Sequence, residues 1–397
     1  MRLPRRLSAS VFVSTLIAAG LAGCSSNDAK DTTDVVIGAD LSSTSATDTA
    51  YGRALQLEVE QINASGRLGN KRLVLRIADN RSDTTASMRD IGSFADDPSV
   101  VAVVTGDCAE CIGYARKPIN EKQVPTIALV SSDLSRIEAA SQRWIFKLGP
   151  NSTDDSAAMT SELQSAKIRK IAVLHADDLG SQDAFNALTG GSGSPNLTKA
   201  GLTMTGDQTV KSTSSDVTQA MNALVATDPD AILVLTEPDL ATTAAIAVRA
   251  AKFKGRLFFD AGAAGDLFIP REATAAMENA NMIFTQTLVI DDVVATTPAK
   301  AARKQWFRDY TSRYGSYNGR AAFAADAVSL IADGVALGGL NRGAIRDVLE
   351  TSQVDALAGP IRLTPDNHSG LMPQALTLLV ARSGRWRLAS GTDDGLQ

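Results

Sequence analysis

Short apolar runs alternate with longer amphipathic stretches along the first third of the chain. Runs rich in valine, isoleucine and leucine predict four buried strands, at 35–38, 73–77, 100–104 and 126–130. The clearest helix is predicted over 49–64, where Tyr51, Leu55 and Val59 recur at a spacing of four residues. Strands that alternate with helices of this length favour βαβ units and a mostly parallel sheet covered on both faces.

The alternation restarts after residue 150 and predicts a second lobe of the same kind. Strands are predicted at 170–174, 231–235 and 257–259, with helices at 181–188, 216–226 and 240–253. The extended segment 144–150 is followed by a helix start at 152–155, so it is the natural crossing between lobes. Two further helices, at 299–314 and 321–337, precede strands at 359–363 and 375–381. The sequence therefore predicts an α/β protein with two Rossmann-like lobes.

The first 24 residues have the features of an export signal. Three arginines precede the apolar stretch 11–19, which is too short to span a bilayer and ends in Leu-Ala-Gly-Cys. This ending resembles the bacterial lipobox, in which the cysteine is lipidated and becomes the new N-terminus. We therefore expect a signal peptide at 1–23, a lipidated Cys24, and a polar tether at 24–33. An ordinary signal peptide with an incidental cysteine is the alternative.

Composition adds limits on the function. The chain has 397 residues with 39 basic and 44 acidic side chains, so it shows no excess of positive charge for nucleic acid. Three cysteines and two histidines (His175 and His368) are too few for a disulfide scaffold or a rich metal site. We expect no metal and no cofactor.

The order of several short motifs resembles the type I periplasmic solute-binding proteins of ABC importers, in the leucine/isoleucine/valine-binding branch. The motifs are 37–41 (IGADL), 51–52 (YG), 60–66 (EQINASG), 79–83 (DNRSD), 103–106 (VVTG), 124–125 (VP) and 172–175 (AVLH). The resemblance implies a Venus-flytrap fold whose chain crosses a hinge three times, with ligand held between the lobes. It places the N-terminal lobe at 34–148 plus 289–353, and the C-terminal lobe at 149–288 plus 354–397.

The resemblance also implies where an amino-acid ligand is bound. Nine residues match or lie near ligand-binding positions of the family: Tyr51, Glu110, Cys111, Val130, Ser131, Ser132, Leu179, Thr236 and Asp260. Glu110 and Cys111 stand where the family usually has a serine, and Leu179 stands near a usual tyrosine. These departures argue against branched-chain specificity while leaving the clamp intact.

Each of these positions has a simpler alternative. Ser131 and Ser132 precede Asp133 and could cap the next helix. Glu110 and Asp260 could be solvated loop acids, and Tyr51 could pack in the core beside Leu55.

Cys108 and Cys111 form a C-x-x-C motif, which is compatible with a redox dithiol, half of a zinc site or a short disulfide. The chain has no second cysteine pair to complete a zinc site. In an oxidising compartment a local disulfide is the expected state.

An exported hydrolase is the competing class, but the chain has no G-x-S-x-G nucleophile motif. We therefore expect a protein that is not an enzyme: a monomeric, membrane-anchored, extracytoplasmic receptor that delivers an amino acid or similar solute to an ABC permease. A lipoprotein that presents its ligand to a separate sensor is the alternative.

Overall fold

The computed structural model describes residues 32–133, 142–190, 197 and 199–389. The signal peptide, Cys24 and most of the expected tether lie outside the described residues, and so do residues 390–397.

The described chain forms two α/β lobes. The strands are β1 (Thr33–Leu41), β2 (Lys71–Asp79), β3 (Val100–Thr105), β4 (Thr126–Ala128), β5 (Ile145–Lys147), β6 (Lys170–Ala176), β7 (Thr203–Val210), β8 (Ala231–Leu235), β9 (Arg256–Phe259), β10 (Asn281–Thr285), β11 (Gln353–Asp355), β12 (Pro360–Arg362), β13 (Leu376–Arg382) and β14 (Arg385–Leu388). The helices are α1 (Ala46–Ser65), α2 (Thr84–Asp96), α3 (Ala109–Glu121), α4 (Ser152–Ser165), α5 (Leu179–Thr189), α6 (Thr218–Val225), α7 (Pro238–Ala250), α8 (Thr274–Met277), α9 (Pro298–Tyr314), α10 (Ala321–Gly338) and α11 (Arg342–Leu349).

Each lobe is built on one sheet. The first has the order β2-β1-β3-β4-β5 and is wholly parallel, while the second has the order β14-β13-β10-β9-β8-β6-β7. In the second sheet only β13 and β14 run antiparallel to their neighbours. This is the α/β architecture that the sequence predicts, with two lobes and mostly parallel sheets.

Apolar faces of the helices close the core of each lobe. In the first lobe α1 packs against α10, and Trp306 of α9 donates from Nε1 to the carboxylate of Glu58 at 3.1 Å. Helix α10 is apolar and long enough to cross a membrane by length and composition, and most of it is buried inside the protein. The segments predicted at 299–314 and 321–337 are therefore core-forming helices.

The chain passes between the two lobes three times, after β5, after β10 and before β13. Two of these crossings are paired with each other. The backbone N–H of Lys147 donates to the carbonyl of His368 at 2.9 Å, and Gly370 donates back to the carbonyl of Lys147 at 2.9 Å. The imidazole of His368 stacks on Phe146, with 4.3 Å between ring centroids. His368 therefore lies in the hinge.

Candidate functional site

A cleft of about 420 Å³ lies between the two lobes, a volume that suits a small solute. Its walls are the loops that follow the carboxyl ends of parallel strands in both sheets. Thr44 follows β1, Asp107 follows β3, Asp178 follows β6 and Glu237 follows β8. Such strand ends bring loop backbones and helix N-termini into one crevice. The cleft therefore lies where open α/β sheets bind their ligands.

A buried carboxylate fixes the shape of the first-lobe wall. Asp48, near the start of α1, accepts hydrogen bonds from the backbone N–H groups of Ser42 and Asp107, both at 2.8 Å. Position 106 requires glycine, because a Cβ there would lie 2.3 Å from the same carboxylate. Burial raises the pKa of Asp48 to about 6. Asp48 thus holds together the two loops that face the second lobe.

Arg320 connects the lobes beneath the cleft. It lies at the start of α10, its side chain is 2% exposed, and its guanidinium pairs with Asp107 of the first lobe. The same guanidinium donates to the carbonyl of Gly262 and lies 3.4 Å from Glu237, both in the second lobe. Burial lowers the pKa of Arg320, but the charges of Glu237 and Asp107 outweigh burial and raise it overall. Arg320 is therefore a fixed cation shared by the two lobes.

Two buried acids of the second lobe line a pit of about 10 Å³ at the inner end of the cleft. Asp260 follows β9, and Asp155 in the first turn of α4 accepts from the backbone N–H of Ala261 at 2.9 Å. Burial raises the pKa of Asp260 to about 7, and the pKa of Asp155 rises well above its usual range because of burial and the neighbouring charge of Asp260. Both carboxyls therefore keep their protons to a higher pH than an exposed aspartic acid does, and a bound cation would favour their ionised form.

Glu237 stands between the pit and the main cleft, because it lines both. Burial between the lobes raises its pKa well above the usual value, and Arg320 opposes that rise. Its side chain nevertheless keeps 45% exposure toward the cleft, so water there weakens the shift.

Apolar side chains form another part of the cleft wall. Trp386 packs edge-on against Phe259, with 6.2 Å between ring centroids. Phe268 also lines the cleft and is 61% exposed, with the guanidinium carbon of Arg385 5.4 Å from its ring centroid. A solute bound here would therefore meet both charged and aromatic surfaces.

Several of the residues predicted from the sequence lie together at this cleft. Glu110, Val130, Ser131 and Ser132 line its first-lobe side. Glu110 also reaches the second lobe, because its Oε1 accepts from the backbone N–H of Leu179 at 3.4 Å. Their contacts with a ligand remain predictions.

The other predicted residues lie deeper. Thr236 and Asp260 line the pit. Tyr51 is 1% exposed within the core cluster, and its hydroxyl donates to the carbonyl of Leu129 at 3.1 Å. The core placement of Tyr51 matches the simpler alternative raised for it.

Cys108 and Cys111 are joined by a disulfide at the start of α3. Cys108 also caps this helix, because its sulfur accepts from the backbone N–H of Cys111 at 3.2 Å. Cys111 is 1% exposed, and Glu110 between the two cysteines faces the cleft. The disulfide thus supports the loop that carries Glu110.

Sequence reasoning missed Arg320, Glu237 and Asp155 as site residues. Glu237 and Asp155 carried a usable signal, because each lies near the predicted end of a strand or start of a helix. Arg320 carried none, because it lies between two helices and meets Asp107 across 213 positions of sequence.

Comparison with known proteins identifies relatives of this architecture. A family model described as "Periplasmic binding protein" matches residues 35–385. An extracellular ligand-binding receptor from Rhodopseudomonas palustris HaA2 is similar in structure, with a TM-score of 0.77, 19% identity, and coverage of 89% of this chain and 99% of that one.

Two further similar structures are those of binding proteins for branched-chain amino acids. The leucine-binding protein LivK from Thermotoga maritima has a TM-score of 0.73 and 15% identity, covering 90% of this chain and 98% of its own. The transporter substrate-binding protein LivJ from Streptococcus pneumoniae, in complex with isoleucine, has a TM-score of 0.72 and 19% identity, covering 89% and 98%. At such identities the likeness concerns the fold.

Proposed function

Because this chain belongs to the periplasmic binding protein family, whose model spans residues 35–385, we propose that it is the extracytoplasmic substrate-binding protein of an ABC importer. It captures an amino acid or similar small polar solute between its lobes and delivers the closed complex to a permease. The observation that carries the proposal is a cleft of about 420 Å³ with polar walls from both lobes.

The energetic requirement for such a receptor is that the solute binds the closed form more tightly than the open form. A solute held by one lobe alone would leave the closure equilibrium unchanged. Here polar groups from both sides face the same space, with Ser131 and Glu110 on one lobe and Asp178 and Glu237 on the other. Binding and closure are thereby coupled.

Thermal-shift screening of the purified protein against amino acids, small amides, amines and carboxylates tests the proposal, because a solute that binds only the folded protein raises its Tm. X-ray scattering of the same samples should show a smaller radius of gyration with the stabilising solute. The proposal fails if no small solute changes either the Tm or the radius of gyration.

We also propose that Cys24 is lipidated and anchors a monomer to the membrane, on the basis of the Leu-Ala-Gly-Cys sequence at 21–24. Changing Cys24→Ala should release the protein from the membrane fraction into the soluble fraction. Cys111→Ala, which removes a cysteine elsewhere in the chain, should leave membrane association intact. Membrane association of the Cys24→Ala protein would contradict the anchor.

A further inference from the structure

The walls of the cleft carry an unbalanced negative charge. Among the residues that the structure describes, no lysine, arginine or histidine lines the cleft. Six acidic residues line it: Asp107, Glu110, Asp178, Glu237, Asp239 and Asp266. Arg320 is a buried cation beside the cleft, and its guanidinium is already shared by Asp107, Glu237 and the carbonyl of Gly262. Within the part of the chain that the structure describes, Asp107 and Glu237 share this one cation, and no salt bridge joins Glu110, Asp178, Asp239 or Asp266 to a basic side chain.

The pit adds an independent observation. Asp155 and Asp260 are each 5% exposed and both line the pit. Within the described part of the chain, Oδ1 of each carboxyl has no hydrogen-bond partner. A buried carboxylate oxygen without a donor costs free energy, and a donor brought by a ligand removes that cost. Each of these oxygens therefore lacks a donor, which an N–H group of a ligand entering the pit would supply.

The size of the pit restricts the group that can enter it. A cavity of about 10 Å³ accommodates one water-sized group. A primary ammonium has that size and carries three N–H donors, enough for both free oxygens. A guanidinium is planar, presents five donors and is larger. The pit therefore favours an ammonium.

We infer that the cleft selects a small solute with a net positive charge, with one primary ammonium in the pit between Asp155 and Asp260 and a second cationic group at the acidic walls. This inference rests on the proposed function and names the class of its substrate: diamines and basic amino acids. A zwitterion with an apolar side chain brings one charge of each sign, so it leaves the excess of wall acids uncompensated. The methylene chain of a diamine or of lysine would lie against the apolar surface of Phe268 and Trp386.

Isothermal titration calorimetry with matched pairs of solutes tests the inference. Lysine is compared with norleucine, which lacks the terminal ammonium, and 1,4-diaminobutane is compared with 1-aminobutane. Glutamate supplies the opposite charge. We expect lysine and 1,4-diaminobutane each to bind at least about tenfold more tightly than the matched solute with one ammonium group, a difference of about 1.4 kcal/mol.

The pit is tested with Asp260→Asn and Asp155→Asn, which keep the shape of each side chain and remove its charge. Each should weaken the binding of the preferred diamine or basic amino acid by about tenfold or more. Asp228→Asn is the matched control, because Asp228 lies on a turn between α6 and β8 with its side chain 94% exposed. Circular dichroism and Tm verify that each variant is folded, and if one of the two pit variants is not, the other still gives the measurement.

The outcomes separate the inference from the function on which it rests. Equal or tighter binding of norleucine or glutamate than of lysine would overturn the inference and leave the solute-binding function standing. Preference for the solute with two ammonium groups, with unchanged affinity in both folded pit variants, would overturn the placement in the pit. Binding of no solute of any charge would overturn the proposed function itself.

Discussion

Oε2 of Glu237 in the second lobe lies 3.4 Å from Nη2 of Arg320, which the first lobe presents from the start of α10. Arg320 also pairs with Asp107, so one guanidinium balances an acid from each lobe. Removal of one partner from a buried ion pair leaves an uncompensated charge, which is the costly event in such sites.

Arg320→Met should therefore destabilise the protein. We expect the free energy of unfolding to fall by about 3 kcal/mol, because Asp107 would remain in a nearly buried position without its cation. Urea unfolding followed by circular dichroism measures the change. The control is Arg308→Met, since Arg308 is an exposed arginine of α9. Equal stability of the two variants would show that the acids around Arg320 find other compensation.

Stability should rise as the pH falls from 7.5 to 5.5. Burial raises the pKa of Asp40 and Asp48 to about 6, and that of Asp260 and Asp326 to about 7. A carboxyl whose pKa is higher in the folded protein than in the unfolded chain holds its proton more strongly when folded, so acidification favours folding. Each group with a pKa of about 7 contributes on the order of 2 kcal/mol across this interval. Tm measured at constant ionic strength gives the slope.

Asp40→Asn should flatten that slope, because an amide imitates the protonated carboxyl and does not titrate. The partly exposed acid Asp97 provides the control: its pKa is held below the usual range, chiefly by hydrogen bonds from Ser99 and Arg76, so it stays ionised from pH 5.5 to 7.5. Asp97→Asn should leave the slope unchanged. A Tm that falls between pH 7.5 and pH 5.5 would contradict the prediction that buried carboxyls with raised pKa values control the pH dependence of stability.

Tyr51→Phe should cost stability and leave ligand affinity within about twofold. The hydroxyl of Tyr51 donates to Leu129 inside the core, and loss of such a bond costs about 1 kcal/mol. Tyr114→Phe is the control, because Tyr114 is 62% exposed. Calorimetric affinity for the solutes found in the screen distinguishes a core residue from a ligand contact. A large loss of affinity in Tyr51→Phe would indicate that the hydroxyl of Tyr51 contacts the ligand.

Loss of the Cys108–Cys111 disulfide should lower the free energy of unfolding by about 2 kcal/mol, the value expected for so short a closed loop. Cys108→Ser with Cys111→Ser removes the bond and retains a helix-capping side chain at 108. Cys108→Ala with Cys111→Ser removes the cap as well, and we expect about 1 kcal/mol of further loss. Thiol counting on the unfolded protein verifies the oxidised state of the parent.

The sequence predicted elements well where one chemical signal dominates. The valine-rich run of β3 is an example, because continuous apolar residues need a buried sheet. Helix α4 begins at Ser152, inside the predicted start at 152–155, although its N-cap residue Asn151 makes no side-chain capping bond. Strand β7 was missed, because it is the edge strand of its sheet and most of its side chains are polar and at least partly exposed.

The site was harder to predict than the fold. Ser131 and Glu110 follow strand ends and could be placed at the cleft from local sequence and the family resemblance. The charge arrangement around Arg320 could not, because its partners come from three separate loops, and their meeting depends on how the two lobes face one another. The spacing of apolar and polar residues along the sequence does not indicate that these three loops meet.

The pairing of Lys147 with His368 and Gly370 limits how the lobes can move. Two crossings that share backbone hydrogen bonds cannot swivel independently, so twisting and sliding of one lobe past the other would break those bonds. Opening and closing about a single axis preserves them. For the proposed transport function, we therefore expect the ligand-bound protein to present one reproducible geometry, which a permease would distinguish from that of the empty protein.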